Sequence, residues 1–174
     1  MNQVIDIQLA EARDVSRIID VELEAGEIFK SFGFPDPPTE GAHVPQSALL
    51  NGIDRGMLWV AETQSQSLII GFVLAGVMDD QAHLLEIDVI PAFGQQGIGK
   101  RLLAEVVAWA RDENYVWLTL TTFRDVPWNG PFYKRFGFEE MPSTALGEQL
   151  AAVLAEEHET NTVPWKRCAM RFKL

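Results

Sequence analysis

In this chain of 174 residues, the stretch HLLEIDVIPAFGQQGIGKRLLAEVVAWA, residues 83–110, carries the residue types most directly suited to chemistry. Gly94, Gly97 and Gly99 follow an apolar run through Pro91 and precede a helical pattern. Glycines in such a loop let the backbone approach a ligand and turn its N–H groups toward it. The helix that follows offers unpaired N–H groups and the positive end of its dipole. The combination suits a phosphate or pyrophosphate. Lys100 and Arg101 add positive charge in a chain whose only basic residue between 31 and 99 is Arg55. The plainer reading is a structural strand–turn–helix connection with a surface Lys-Arg pair. Gly94 to Lys100 also matches the P-loop spacing, but Arg101 occupies the position where Ser or Thr must ligate Mg²⁺. A dinucleotide fingerprint starting at Gly97 fails because Leu102 replaces its third glycine.

Glu86 and Asp88 lie two residues apart on the preceding run, and so on one strand face, opposite Leu85, Ile87 and Val89. Two carboxylates in a central strand need partners. Functionally, one of the two, Glu86 by choice, is suited to general-base work, accepting a proton directly or through water. The alternative is that both bond to a neighbouring helix or loop, the role assigned here to Asp88. Further on, Asn129 and Tyr133 are one helical turn apart and share a face. Asn129 can cap the short helix that Pro131 opens, and Tyr133 can be an ordinary core residue.

The elements that position these residues follow from periodicity. Val4–Ala10 alternates as a half-buried strand. Asp14 then caps a helix with Val15, Ile18, Ile19 and Leu23 in phase. A Gly/Pro-rich loop spans Phe32 to Pro45, and a short helix covers Gln46–Asp54. Met57–Glu62, Leu68–Met78 and His83–Ile90 form an antiparallel meander. Gly97–Asn114 is a helix with Leu102, Leu103, Val106, Val107 and Ala110 on one stripe. Val116–Thr122 is a buried strand, followed by a helix near Pro131–Phe136, a strand near Phe138–Met141, a helix from Thr144 to Glu157 and a strand over Arg167–Lys173. The expectation is one α/β domain over residues 1–174, with a mixed, mostly antiparallel central sheet flanked by helices in the order β-α-α-β-β-β-α-β-α-β-α-β.

Composition narrows the function classes. The chain has 14 Lys+Arg against 25 Asp+Glu, a net charge of −11. That balance argues against nucleic acid and anionic lipid as partners and favours a cationic substrate. Hydrophobic residues make up 47% and charged residues 22%, the balance of a globular protein. Cys168 is the single cysteine, and His43, His83 and His158 are widely spaced, so neither a disulfide nor a metal site is expected. No signal peptide or membrane span is evident, which gives a cytoplasmic protein as the expectation.

The glycine loop resembles the acyl-CoA-binding motif of the GNAT superfamily of N-acetyltransferases, roughly V-x-P-x-x-(R/Q)-G-x-G-x-G. Val89, Pro91, Gly97, Ile98 and Gly99 match it; Gly94 and Gln95 depart from it. The later stretch WLTLTTFRDVPWNGPFYKRFGF is similar to the family's next strand and short helix, with Asn129, Tyr133 and Gly137-Phe138 at recurring positions. The resemblance implies a GNAT-like fold, acetyl-CoA as acyl donor without a metal, and direct attack by a primary amine in a ternary complex. It implies that the backbone of Ile87, Asp88, Val89 and Ile90 meets the pantetheine arm, with the Val89 N–H polarising the thioester carbonyl. Gln95, Gln96, Gly97, Ile98, Gly99, Lys100 and Arg101 would hold the pyrophosphate. Asn129 and Tyr133 would contact CoA, and Tyr133 would protonate the departing thiolate. Family members are often dimers, so a homodimer is among the expected states. The runner-up is a non-catalytic acyl-CoA-binding or sensing protein, which the presence of Tyr133 disfavours.

Acceptor specificity is expected in residues 22–45 and near Phe123, Arg124 and Trp128. Glu27, Phe32, Phe123 and Trp128 are the residues assigned to the amine. Glu22, Glu24 and Glu27 are suited to a cation, although a solvated helix face explains such a run more simply. Phe29, Phe32 and Phe34 are suited either to a pocket or to the core. The six carboxylates between Glu139 and Glu159 read as the wet side of a helix.

Overall fold

Alternation at the start of the chain gives β1 (Ile5–Leu9), in which Ile5 is buried and Leu9 is 54% exposed. Its place explains the half-wet pattern: β1 ends the strand order and pairs with β2 (Leu58–Thr63). A computed structural model describes residues 4–34, 43–161 and 163–174. Most of the expected Phe32–Pro45 loop lies outside them. The chain forms two compact units, Met1–Ala75 with Leu85–Trp109, and Gly76–Leu84 with Ala110–Leu174.

In the first unit, β1, β2, β3 (Leu68–Met78) and the second half of β4 (Gln81–Val89) follow one another in order. Both β1–β2 and β2–β3 are antiparallel, as the meander pattern implies. The β2–β3 register slips at Ala61/Glu62, so that Gly71 faces Ala61 and Ile69 faces Glu62. Ile70 is the extra residue of this bulge, and its carbonyl accepts the Ile90 N–H at 2.9 Å.

Helices α1 (Val15–Lys30) and α2 (Gln46–Asp54) also belong to this unit. In α1 the buried residues are Val15, Ile18, Val21 and Ala25, whereas Leu23, expected on the stripe, is 48% exposed. At about 100° per residue Leu23 projects roughly 80° beyond Val15, outside the arc spanned by the other four. Asp14 precedes α1 but does not cap it through its side chain. Its carboxylate instead accepts the Glu11 N–H at 2.8 Å, closing a single 3-10 turn. Helix α3 (Ile98–Asp112) buries Ile98, Leu102, Leu103, Val106, Val107 and Ala110, the stripe read from the sequence.

In the second unit the start of β4 runs parallel to β5 (Trp117–Phe123), with Ala82 opposite Leu118 and His83 opposite Thr119. β5 pairs antiparallel with β7 (Arg167–Lys173) over its whole length. The two-residue β6 (Glu139–Glu140) adds to β7 after the short helix α4 (Gly130–Phe136). The sheet is thus mixed and mostly antiparallel, as expected. Helix α5 (Glu148–Thr160) starts four residues later than the sequence suggested. Its cap comes from far away: the Asp79 carboxylate accepts the N–H groups of Gln149 and Leu150 at 2.9 Å each. Gln149 returns the bond by accepting the Asp79 N–H at 2.7 Å. A Cβ on Gly147 would stand 2.2 Å from the Asp79 carboxyl carbon, so the start of α5 requires glycine there. At its other end Glu157 accepts from Thr121 at 2.7 Å and from Arg167 at 2.8 Å, which pins α5 to the sheet. Among the described residues, no helix is long and apolar enough to cross a membrane.

One buried group makes the fold acid-sensitive. His83 is 3% exposed, and its Nδ1 lies 2.8 Å from Thr119 Oγ1. Thr119 has one proton, which it donates to the Ala82 carbonyl at 3.2 Å. The neutral imidazole therefore donates from Nδ1. Burial pulls its pKa down to about 4, against the attraction of Asp79. The unfolded chain takes up this proton near pH 6.5 and the folded chain only near pH 4. Stability is therefore complete above pH 6.5 and declines between these values, by about 3 kcal/mol in all. Thermal melting from pH 7 to pH 4 should show this loss. His83→Gln should be less stable at pH 7 but should lack that part of the acid decline.

Candidate functional site

The chemistry-bearing residues of the first unit are positioned by a close approach of two strands. A Cβ on Gly71 of β3 would lie 2.8 Å from the Asp88 carbonyl oxygen and 3.1 Å from Val89 Cγ2. After Ile90 the chain makes a 3-10 turn over Pro91–Phe93, and the Gly94 N–H bonds back to Pro91 at 3.0 Å. Gln95 (φ 60°) and Gly97 (φ 79°) then take left-handed backbone conformations. Such alternation turns backbone N–H groups toward one side and makes an anion-binding concavity. The first intrahelical bond of α3 runs from Arg101 N–H to the Gly97 carbonyl at 3.1 Å. The N–H groups of Ile98, Gly99 and Lys100 consequently have no acceptor within the helix. Ile98 is buried and anchors the turn, while Gln95, Gln96, Gly97 and Lys100 are exposed.

The two basic residues diverge. Among the described residues Lys100 makes no ion pair. Arg101 donates from Nη2 to the Ile5 carbonyl at 2.9 Å, so its guanidinium is directed to β1. Its backbone N–H is also engaged, which leaves Lys100 as the free cation of this pair.

Glu86, Ile87, Asp88 and Val89 are all half-buried on β4, while Leu85 is 49% exposed. Burial holds the Asp88 pKa well above the ordinary carboxyl range, and the carboxylates of Glu86 and Glu22 push it further the same way. Glu22 reaches this group from α1. Both its oxygens accept the Val44 N–H, at 2.9 and 3.1 Å. Burial raises its pKa as well, against the Val44 bond and the nearby His43. Glu24 and Glu27 of α1 lie elsewhere: Glu27 pairs with Lys30 at 2.8 Å and Glu24 with Arg17 at 2.6 Å, both carboxylates at exposed positions. Glu22, read from sequence as part of a solvated run, is therefore the carboxylate of that run that joins Glu86 and Asp88. The available signal was its phase, since Glu22 follows Val15 and Ile18 on the buried side of α1. Phe32 is half-buried just beyond α1.

In the second unit Phe123 and Trp128 are half-buried, and the Arg167 guanidinium lies 4.7 Å from the centre of the Phe123 ring. Gly130 opens α4 so close to the end of β5 and the loop after it that a Cβ would overlap the carbonyl oxygen of Arg124 and press on that of Phe123. Asn129 makes no side-chain cap to this helix. Its Oδ1 is instead buried without a hydrogen-bond partner among the described residues, an acceptor that a ligand donor would satisfy. Tyr133, one turn on, is buried with Phe132 and Phe138 edge-on at 5.2 and 5.6 Å. Burial lifts the Cys168 thiol to about 11, which leaves it protonated and a weak nucleophile at neutral pH.

The carboxylate group gives a direct test. Both Glu86→Gln and Glu22→Gln should lower the Asp88 titration midpoint followed by carboxyl-carbon NMR, because each removes a like charge. An unchanged midpoint in both variants would mean that the three carboxylates do not share one field.

The family profile described as an acetyltransferase (GNAT) domain matches residues 54–140. Among solved structures, the PaiA N-acetyltransferase of Thermoplasma acidophilum in complex with coenzyme A aligns with a TM-score of 0.71 at 19% identity, over 98% of this chain and 99% of that one. A GNAT-family acetyltransferase of Staphylococcus aureus Mu50 aligns at 0.70 and 18% identity, over 98% and 99%. The N-acetylglutamate synthase of Neisseria gonorrhoeae, complexed with coenzyme A and N-acetyl-glutamate, aligns at 0.69 and 17% identity over 100% of this chain, which spans 36% of that longer protein. These likenesses establish the fold, and the profile match over half of the chain establishes the lineage: the protein belongs to the GNAT acetyltransferase family.

Proposed function

We propose that this protein is an N-acetyltransferase that moves the acetyl group of acetyl-CoA to a primary, cationic amine by direct attack in a ternary complex. The observation that carries the reading is the left-handed turn at Gln95 and Gly97, which leads into three unpaired N–H groups at the start of α3. Donors of this kind, with Lys100 beside them, fit a pyrophosphate. The buried Oδ1 of Asn129 is an acceptor that an amide or hydroxyl donor of a ligand would satisfy. Coenzyme A in the Thermoplasma and Neisseria structures supports the assignment.

In this reading Glu86 takes the proton of the incoming ammonium, and the freed amine attacks the thioester carbon. The Val89 N–H stabilises the developing oxyanion. The carbon–sulfur bond then breaks, and Tyr133 supplies the proton to the thiolate. Glu22 and Asp88, with the net charge of −11, favour a positively charged acceptor. The protonated state of Cys168 supports direct transfer over an acyl-cysteine intermediate.

Acetyl-CoA should raise the thermal midpoint, and Gly97→Val should weaken its binding by about tenfold or more, since a β-branched residue resists φ 79°. An amine panel read out as free CoA should then reveal turnover; binding without turnover would make the protein an acyl-CoA sensor instead. Tyr133→Phe should reduce kcat by about 10²-fold, far more than it weakens acetyl-CoA binding. Full activity in that variant would remove Tyr133 as the acid.

A further inference from the structure

A pocket of about 210 Å³ lies wholly within the second unit, at the Trp117 end of β5 and away from Phe123 at the strand's other end. Met78, Met141 and Leu150 give it apolar walls. Its polar lining is one-sided. Each side-chain oxygen acceptor of the lining already holds a donor: the Asp79 oxygens hold the N–H groups at the start of α5, and Thr119 Oγ1 is taken by His83. Gln81 Oε1 likewise accepts the Trp117 N–H at 2.9 Å. The donors are not used up. Among the described residues, Gln81 Nε2 and both η nitrogens of Arg171 lack a hydrogen-bond partner. Arg171 is held in place from two sides, by Glu139 on its Nε at 2.7 Å and by the Trp117 ring 4.4 Å away. Lys173 also stacks on that ring at 4.7 Å. The charges around the pocket therefore balance, two cations against Asp79 and Glu139. Free hydrogen-bond donors, rather than net charge, select the ligand.

We propose that this pocket binds a small carboxylic acid with an apolar body, its carboxylate on the free edge of Arg171 and the Gln81 amide and its body among Met78, Met141 and Leu150. A guanidinium with both η groups free matches a carboxylate in two parallel bonds. An alcohol of the same length gains the apolar contact but not the paired bonds. An ammonium has only donors to offer, where the unused side-chain groups are themselves donors and each side-chain oxygen already holds one.

The test compares hexanoate, hexanol and hexylammonium on the full chain by ¹H–¹⁵N NMR, following the Gln81 side-chain amide and the Trp117 indole. Hexanoate should give saturable shifts at both, hexanol should bind about tenfold more weakly, and hexylammonium should leave them unmoved. Arg171→Met should bring hexanoate down to the level of hexanol, and Arg171→Lys should fall between. Equal binding of hexanoate and hexanol, saturation by hexylammonium, or no saturable shift with hexanoate would each overturn the proposal. The three-ligand comparison on the unaltered chain decides the matter even if the Arg171 variants fold poorly. None of these readouts depends on acetyl transfer.

Discussion

The contact on which the first unit most depends is the approach of β3 to β4 at Gly71. A methyl group at that position would press on the Asp88 carbonyl and the Val89 side chain, and strands cannot pair at normal spacing across such an overlap. The extra residue at Ile70 is the other half of the same arrangement: its carbonyl is turned to the Ile90 N–H, just where β4 ends. Glu86, Asp88 and the backbone of Val89 are thereby fixed, as is the direction in which the chain enters the Pro91 turn. From there the positive φ angles at Gln95 and Gly97 set the start of α3. The sequence of constraints runs from one missing side chain to the placement of the carboxylates and the free N–H groups.

Electrostatics divide the labour among residues that look alike in the sequence. Lys100 and Arg101 are neighbours, yet one is free and the other holds a carbonyl of β1. Odd-numbered residues of β1 turn their backbone groups away from β2, since Val4 and Ala10 make the bonds to that strand. Arg101 therefore covers a carbonyl on the open edge of the strand, where unpaired groups invite another chain. Glu22, Glu24 and Glu27 are split in the same manner: two form surface ion pairs of small energetic weight, and one is turned inward beside Asp88.

Patterns of period two and 3.6 were legible in advance, because they record which side of an element meets the core. The bounds of α2, β3 and β7 coincide with the sequence reading, and the apolar stripe of α3 is the buried one. The misreadings share one cause: partners, near or distant in sequence, that the local pattern does not show. Asp79, almost seventy residues upstream, sets the start of α5. The Asp14 carboxylate goes back to Glu11 rather than forward into α1. The side chain of Asn129 does not cap its helix, and Gly130 is held by a carbonyl of the preceding loop. The glycine turn was legible because glycine spacing and the Lys-Arg pair are local signals. The membership of Glu22 in the carboxylate group was not, because the helix face it occupies is defined by what packs against it.

The anchoring of α5 by Asp79 also orders events during synthesis. The chain emerges from its N-terminus, so the turn that carries Asp79 is made long before residues 147–150 exist. The helix has little intrinsic drive to form alone, with one buried residue, Leu150, in its thirteen. It relies on groups outside itself at both ends, Asp79 at the start and Thr121 and Arg167 near the finish. The Asp79 end of the anchor is thus made first, whereas Arg167, which holds Glu157 near the other end, is made only after α5 itself.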